Sequence, residues 1–378
     1  MRHVLIIAAE NSAENYGAQV IDEFKKHNNK IRFFGLGGDR FIKRGVDVLV
    51  HSKELAVLGL IEVVSSILKL KRCMDLLVKE AIKRKAAAVF LIDYPDFNLR
   101  IAKKFKKAGI PVYYYISPTV WAWRYSRVKL IRKYIDHLFI IFPFEIDIYK
   151  KEKIPFTYTG HPLVPMVKVD RSREDFREER QVDDKDKLLT LMPGSRKAEV
   201  DSLLPGMLEA VELLKAEFNI KVFLLLADNI DRDHVLGYLE DSPVNVRVIE
   251  QKQGHNLINA SDAIITTCGT SNLEIAIIGV PFAAVYRLSK LSYFLGKGFV
   301  KIDKYSIVNI LAQEEVVTEL IQENYKAANM AQEVKRILWE KKARDEMLSQ
   351  FARIRDMLLQ EKNPAEIIYE KIARDLGL

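Results

Sequence analysis

Short runs of β-branched and other apolar residues alternate with amphipathic stretches along nearly the whole chain, and no other feature narrows the fold as much. Alternation of this kind marks parallel βαβ units, because parallel strands need a helical crossover and are covered on both faces. The sequence therefore reads as an α/β protein. Strands are expected near 4–9, 31–35, 88–92, 112–116, 138–141 and 157–158, and again near 188–192, 221–226, 244–249, 263–266 and 282–285. One twisted sheet rarely holds so many strands, so the two sets read as two doubly wound domains. Gly160-His161-Pro162 and Pro165 interrupt the pattern, and the charged stretch 170–187 reads as a linker into a surface helix, which puts the boundary near 168. The expected domains are 1–168 and 169–350; charged helices near 327–341, 342–359 and 364–376 lie outside the sheets, and a tail over 351–378 is expected to pack back on the first domain.

No apolar run approaches the roughly 18 residues of a spanning helix, and Met1-Arg2-His3 leads straight into a strand, so neither a spanning helix nor a signal peptide is expected. Cys73 and Cys268 have no CxxC spacing, which fits a reducing cytoplasm and excludes a disulfide framework. Lys and Arg outnumber Asp and Glu, 59 to 51, pointing to an anionic partner: nucleic acid, anionic lipid or a phosphorylated substrate.

Open α/β sheets bind ligands beyond the carboxyl ends of their strands, so the residues just after each strand carry the functional signal. After the first strand, Ala9-Glu10-Asn11-Ser12-Ala13-Glu14 enters a helix expected near Asn15 with Ser12 as its cap; it lacks a glycine-rich dinucleotide fingerprint. Ile92-Asp93-Tyr94-Pro95-Asp96-Phe97-Asn98 packs two carboxylates and an amide into a proline-stiffened turn. One carboxylate can serve as general base, the plainer alternative being that Asp96 caps the helix and Asp93 pairs with a lysine. Ser117-Pro118-Thr119-Val120-Trp121-Ala122-Trp123-Arg124 carries two of the three tryptophans, suited to a sugar, an acyl chain or the core. In Met192-Pro193-Gly194-Ser195-Arg196-Lys197, backbone N–H groups, a helix N-terminus and Arg196 converge as a diphosphate requires, without the P-loop frame. Thr266-Thr267-Cys268-Gly269-Thr270-Ser271 can bond phosphate oxygens while Glu274 accepts from both ribose hydroxyls. His161 and Asn309 are weaker candidates. One further stripe, Leu60, Val63, Val64, Ile67 and Leu68, has helical spacing, is extended by Leu70 and Met74, and is flanked by Lys69, Lys71 and Arg72. It reads as a membrane-facing surface or as a face packed on the sheet.

These motifs, with the stretch 54–62, Pro143-Phe144-Glu145, Gly160-His161-Pro162-Leu163, Tyr286-Arg287 and Asn309-Ile310-Leu311-Ala312, resemble in order the lipid-A-disaccharide synthase family. The resemblance spans most of the chain. It implies the inverting GT-B fold, two Rossmann-like domains facing across a cleft. It implies transfer of 2,3-diacylglucosamine from its UDP conjugate to the 6-hydroxyl of 2,3-diacylglucosamine 1-phosphate, giving a β-1,6 disaccharide 1-phosphate and UDP. Carried onto this sequence, it implies Asp96 as base with Asp93 in support. Glu10, Ser12, Asn98, Trp121, Trp123, Arg124 and His161 would serve the acceptor, and Gly194, Ser195, Arg196, Gly269, Thr270, Glu274, Arg287 and Asn309 the UDP. It implies no cofactor, no metal and no nucleic acid, peripheral attachment to the inner-leaflet membrane surface from the cytoplasm, and is compatible with a homodimer. The family's first loop reads Gly-Glu-Ala-Ser-Gly-Asp, so Ala9, Ala13 and Glu14 are departures. Two alternatives stand beside it: another GT-B UDP-sugar transferase or epimerase, which leaves the tryptophan motif unexplained, and a non-catalytic nucleotide-sugar or RNA-binding protein, which leaves Asp93 and Asp96 unexplained.

Overall fold

The computed structural model describes residues 2–27, 30–58, 63–122, 124–287 and 303–378, the side chains of 56–58 and 63–67 excepted. Seven strands form the first sheet: β1 (Arg2–Ala8), β2 (Ile31–Gly37), β3 (Asp47–His51), β4 (Ala88–Ile92), β5 (Val112–Tyr115), β6 (His137–Ile140) and β7 (Phe156–Tyr158), in the order β3-β2-β1-β4-β5-β6-β7. The second sheet has β8 (Lys187–Met192), β9 (Ile220–Leu226), β10 (Val246–Glu250), β11 (Ala263–Thr267), β12 (Phe282–Tyr286) and β13 (Glu319–Ile321), in the order β10-β9-β8-β11-β12-β13. All the pairings are parallel. In each sheet the strand order reverses once, between β1 and β4 and between β8 and β11, and loops leaving two such strands diverge to open a ligand crevice.

The central strands are continuous apolar runs because helices cover both faces; β4 is buried at every position. In the first sheet Leu5, Ile7, Leu91 and Tyr114 pack against Leu77, Ile101 and Phe105 from the helices Val63–Lys83 and Pro95–Lys107. The two strands the pattern does not reveal, β3 and β13, are short edge strands with half-exposed side chains.

Contacts divide the chain into one unit of Met1–Pro162 with Leu358–Leu378 and another of Leu163–Met357. The first changeover precedes 168 because the short helix Leu163–Met166 packs on the helix Ser271–Ile278 of the second unit. The tail returns at Gly160. Its φ of +72° and a Cβ position 2.7 Å from the Leu358 carbonyl oxygen admit only glycine, and His161 N–H donates to that carbonyl at 3.2 Å. The helix Pro364–Leu376 then covers the helix Asn11–His27, with Tyr369 edge-on to Phe24 and the Tyr113 hydroxyl donating to Asp375 at 2.8 Å.

Candidate active site

At the first reversal, β1 ends in Ala9-Glu10 and the helix begins at Asn11, a turn earlier than the sequence suggests, so Ser12 sits inside the first turn instead of capping it. Glu10 is exposed and Ser12 half-buried. Glu14 turns inward, accepting from the N–H groups of Gly38 and Phe41 at 3.0 Å each, so it caps the short helix Asp39–Ile42.

Directly across, β4 ends in Asp93 and Tyr94, both left-handed at φ 49° and 46°. Non-glycine residues persist there only where the surroundings over-determine them, and they do here. Asp93 N–H donates to Tyr115 O at 2.9 Å, while its own carbonyl accepts from Asn98 Nδ2 at 2.6 Å and from the Tyr114 hydroxyl at 2.6 Å. Burial, with Glu10 close by, pushes the Asp93 carboxyl up to about 6. No lysine pairs with it among the described residues.

Asp96, one turn on, is 61% exposed. Its Oδ1 accepts from Nη2 of the buried Arg127 at 2.6 Å and from Nη1 of Arg124 at 3.2 Å, and no hydrogen bond reaches Oδ2 among the described residues. A carboxylate clamped through one oxygen has a fixed second oxygen to offer. Arg127 is invisible as a site residue in the sequence, where it is one of several cations on a charged helix.

Beyond β5, Trp121 stands edge-on to Phe144 at 5.2 Å, Phe144 stacks on Phe142 at 5.3 Å, and Phe142 meets His161 at 5.2 Å. The Trp121 indole N–H is buried without an acceptor among the described residues. Burial drives the His161 imidazole down to about 3, so it is neutral at physiological pH. Trp123 lies outside the described residues.

At the second reversal, β8 leads through Gly194, Ser195 and Arg196 into the helix Lys197–Lys215. The N–H groups of Ser195 and Arg196 donate to Glu199 Oε2 at 3.0 and 3.2 Å, and Arg196 Nη1 reaches Oε1 at 2.7 Å. Glu199 was legible as an acid at capping-box spacing after Arg196. After β11, a Cβ at Gly269 would meet no atom of the described residues within 4 Å. In the following helix Glu274 has no hydrogen-bond partner among the described residues, and burial alone raises its carboxyl to about 7. Thr267 Oγ1 and Asn272 Oδ1 are buried without hydrogen-bond partners among the described residues. Each is a buried polar group whose bonding the described residues do not complete. Arg287, exposed after β12, lies over the Tyr325 ring at 5.8 Å. Asn309 differs: Nδ2 donates to Val317 O and Glu319 Oε1, and Oδ1 accepts from Val316 and Val317, so its amide is consumed in holding a turn. It would act on a nucleotide only through that turn.

On the helix Val63–Lys83, Leu68 is 54% exposed and Lys69, Lys71 and Arg72 are exposed, whereas Met74 is buried and Leu70 half-buried against the core. The last two therefore leave the membrane-facing stripe. Leu60 and the side chains of Val63, Val64 and Ile67 lie outside the described residues, so the stripe is described only at Leu68 and the cations beside it. Among the described residues no helix is long and apolar enough to cross a membrane.

A family model described as Lipid-A-disaccharide synthetase matches residues 4–372. The chain belongs to the lipid-A-disaccharide synthase family. A lipid-A-disaccharide synthase of Trichlorobacter lovleyi is 38% identical over 89% of this chain and 88% of its own. That of Koribacter versatilis is 35% identical over 100% and 98%. Among solved structures, the UDP-GlcNAc 2-epimerase of Neisseria meningitidis bound to UDP-GlcNAc superposes with a TM-score of 0.63 at 13% identity, covering 99% and 100% of the two chains. MurG of Acinetobacter baumannii does so with 0.61 at 15% over 99% and 100%. These show the fold: two Rossmann-like units of the GT-B class. Against the lipid-A-disaccharide synthase pattern, the longer acid Glu14 is accommodated by reaching the Gly38 and Phe41 N–H groups.

Proposed function

We propose that this chain transfers 2,3-diacylglucosamine from UDP to the 6-hydroxyl of 2,3-diacylglucosamine 1-phosphate, making the β-1,6 disaccharide 1-phosphate of lipid A. Its full-length membership of the lipid-A-disaccharide synthase family carries the reading. The second unit holds UDP: Gly194, Ser195 and Arg196 take the diphosphate with Arg287, the Gly269–Thr270 turn admits a close approach, and Glu274 accepts from the ribose hydroxyls. The first unit takes the acceptor, with Asn98 fixing the Asp93 turn, the aromatic run from Trp121 to His161 meeting apolar parts, and Glu10, Ser12 and Arg124 the polar ones.

Inversion at the anomeric carbon is a single displacement. Oδ2 of Asp96, its other oxygen held by Arg127, removes the proton from the attacking 6-hydroxyl as the glycosidic bond forms and the bond to UDP breaks. Negative charge gathers on the departing diphosphate, where Arg196 and Arg287 stabilise it. Asp93 positions the turn. Both lipid substrates carry acyl chains, so we place the enzyme at the cytoplasmic face of the inner membrane, with Leu68, Lys69, Lys71 and Arg72 toward the lipid. The donor half is tested by calorimetry of UDP with Arg196→Ala. Loss of a charge-assisted contact is expected to cost about 1.5–3 kcal/mol. Unchanged affinity would remove Arg196 from the site.

A further inference from the structure

One buried acid of the first unit takes no part in the proposed mechanism. Glu145 opens the helix Glu145–Lys151 soon after β6 and is 1% exposed. Its Oε2 accepts from the N–H groups of Ile141 at 3.3 Å and Phe142 at 3.1 Å, and the Ser117 side chain bonds the same carboxyl group. Ser117 Oγ in turn meets the hydroxyl of the fully buried Tyr149, one turn further along that helix. Burial pushes the Glu145 carboxyl up to about 7, although the donors around it favour the ionised form. The bridge to Ser117 survives in both states, since the ionised group accepts the hydroxyl proton and the neutral one can donate to Ser117 Oγ. These bonds join the loop after β5, which carries Trp121, to the loop after β6, which carries Phe142 and Phe144. The first of them starts under strain: Ile116, leaving β5, is left-handed at φ 65°, where a β-branched residue persists only if its surroundings hold it.

We infer that Glu145 is a positioning residue for the acceptor: it locks the loop after β5 to the loop after β6, so that Trp121, Phe144 and Phe142 meet the acceptor's apolar part as one preformed surface. The ring contacts cross that same junction. Trp121 from the first loop stands edge-on to Phe144 of the second at 5.2 Å, and Phe142, whose N–H Glu145 holds, stacks on Phe144 at 5.3 Å. Rings ordered before the acceptor arrives spare binding the cost of ordering them. Glu145 is enclosed and acts only through the two loops. The inference rests on the assignment of the aromatic run to the acceptor.

Its test is steady-state kinetics with UDP-2,3-diacylglucosamine and 2,3-diacylglucosamine 1-phosphate varied in turn, beside equilibrium binding of UDP. The proteins are the wild-type chain, Glu145→Ala, Glu145→Gln and Tyr149→Phe, each checked for folding by circular dichroism. Glu145→Ala is expected to raise the acceptor KM about tenfold and leave the donor KM and UDP affinity unchanged, since every lost bond lies in the first unit. Glu145→Gln keeps an oxygen for both backbone N–H groups and an amide N–H for Ser117, and should recover most of that loss. Tyr149→Phe removes one hydroxyl and little volume, and should raise the acceptor KM about threefold. An unchanged acceptor KM in folded Glu145→Ala would overturn the role, as would an equal loss of UDP affinity or a Glu145→Gln no better than Glu145→Ala. If Glu145→Ala does not fold, Tyr149→Phe decides: a raised acceptor KM at unchanged UDP affinity supports the role, and an unchanged one overturns it. A wild-type chain without acceptor-dependent turnover would remove the acceptor assignment itself, and the inference with it.

Discussion

Asp93 and Asp96 are three residues apart yet occupy opposite electrostatic settings, and the difference assigns their work. Asp93 is enclosed, faces Glu10 and is pushed up to about 6. Asp96 is open to solvent and clamped on one oxygen by Arg127 and Arg124. Asp96→Asn is expected to lower kcat by about 10²-fold or more with the fold intact, the usual contribution of a general base. Steady-state kinetics decide it: near-normal turnover there, with collapse in Asp93→Asn, would move the base to Asp93. Glu274 carries a second prediction. Its carboxyl, raised to about 7, is ionised above that pH, and ribose hydroxyls bond the ionised form. UDP affinity should therefore fall as pH drops below about 7, by up to about tenfold per unit for one linked proton. Calorimetry across pH 5.5–8.5 should show a steeper slope in the wild-type chain than in Glu274→Gln, where only the terminal phosphate of UDP still titrates; equal slopes would dissociate Glu274 from the nucleotide.

At the scale of elements, the strands buried on both faces were legible, as were the edge strands β7 and β10, whereas the edge strands β3 and β13 were not. The central strands β1, β4, β8 and β11 announce themselves as unbroken apolar runs, and the residues that follow them, Asp93, Asp96, Gly194, Arg196 and Glu274, could be read as candidates because parallel sheets put ligands at that end. Edge strands β3 and β13 offer at most three apolar residues in a row, and these runs are only partly buried. Arg127 and Tyr325 were hidden for another reason: each reaches its partner, Asp96 or Arg287, through tertiary folding that no local spacing encodes. The helix Val63–Lys83 shows the limit of periodicity, since Leu68 is exposed while Met74, on the expected continuation of the stripe, enters the core. Its exposed cations should each contribute about 1 kcal/mol of attraction to an anionic bilayer. Leu68→Glu/Lys71→Glu should accordingly pellet less with anionic vesicles than the wild-type chain, and the wild-type binding should weaken with salt. Equal pelleting of the two folded proteins would exclude this surface.

For the whole molecule, the two units repeat one design. Each reverses its strand order once, and each places an asparagine soon after the reversal: Asn98 Nδ2 donates to the carbonyls of Ile92 and Asp93, and Asn272 Nδ2 to that of Thr267. Upon that shared frame the first unit carries the carboxylates and the aromatic run, the second the cations and Glu274, which has no hydrogen-bond partner among the described residues, a division suited to the proposed acceptor, which must lose a proton, and the proposed donor, which must lose a diphosphate. The fold alone does not choose among GT-B chemistries, since an epimerase and MurG share it. The central claim is therefore tested most directly by incubating the purified chain with UDP-2,3-diacylglucosamine and 2,3-diacylglucosamine 1-phosphate and identifying the products by mass spectrometry. The account predicts a disaccharide 1-phosphate and UDP in equal amounts, with none formed when the acceptor is omitted; consumption of the UDP-sugar by hydrolysis or epimerisation, with no disaccharide, would contradict it.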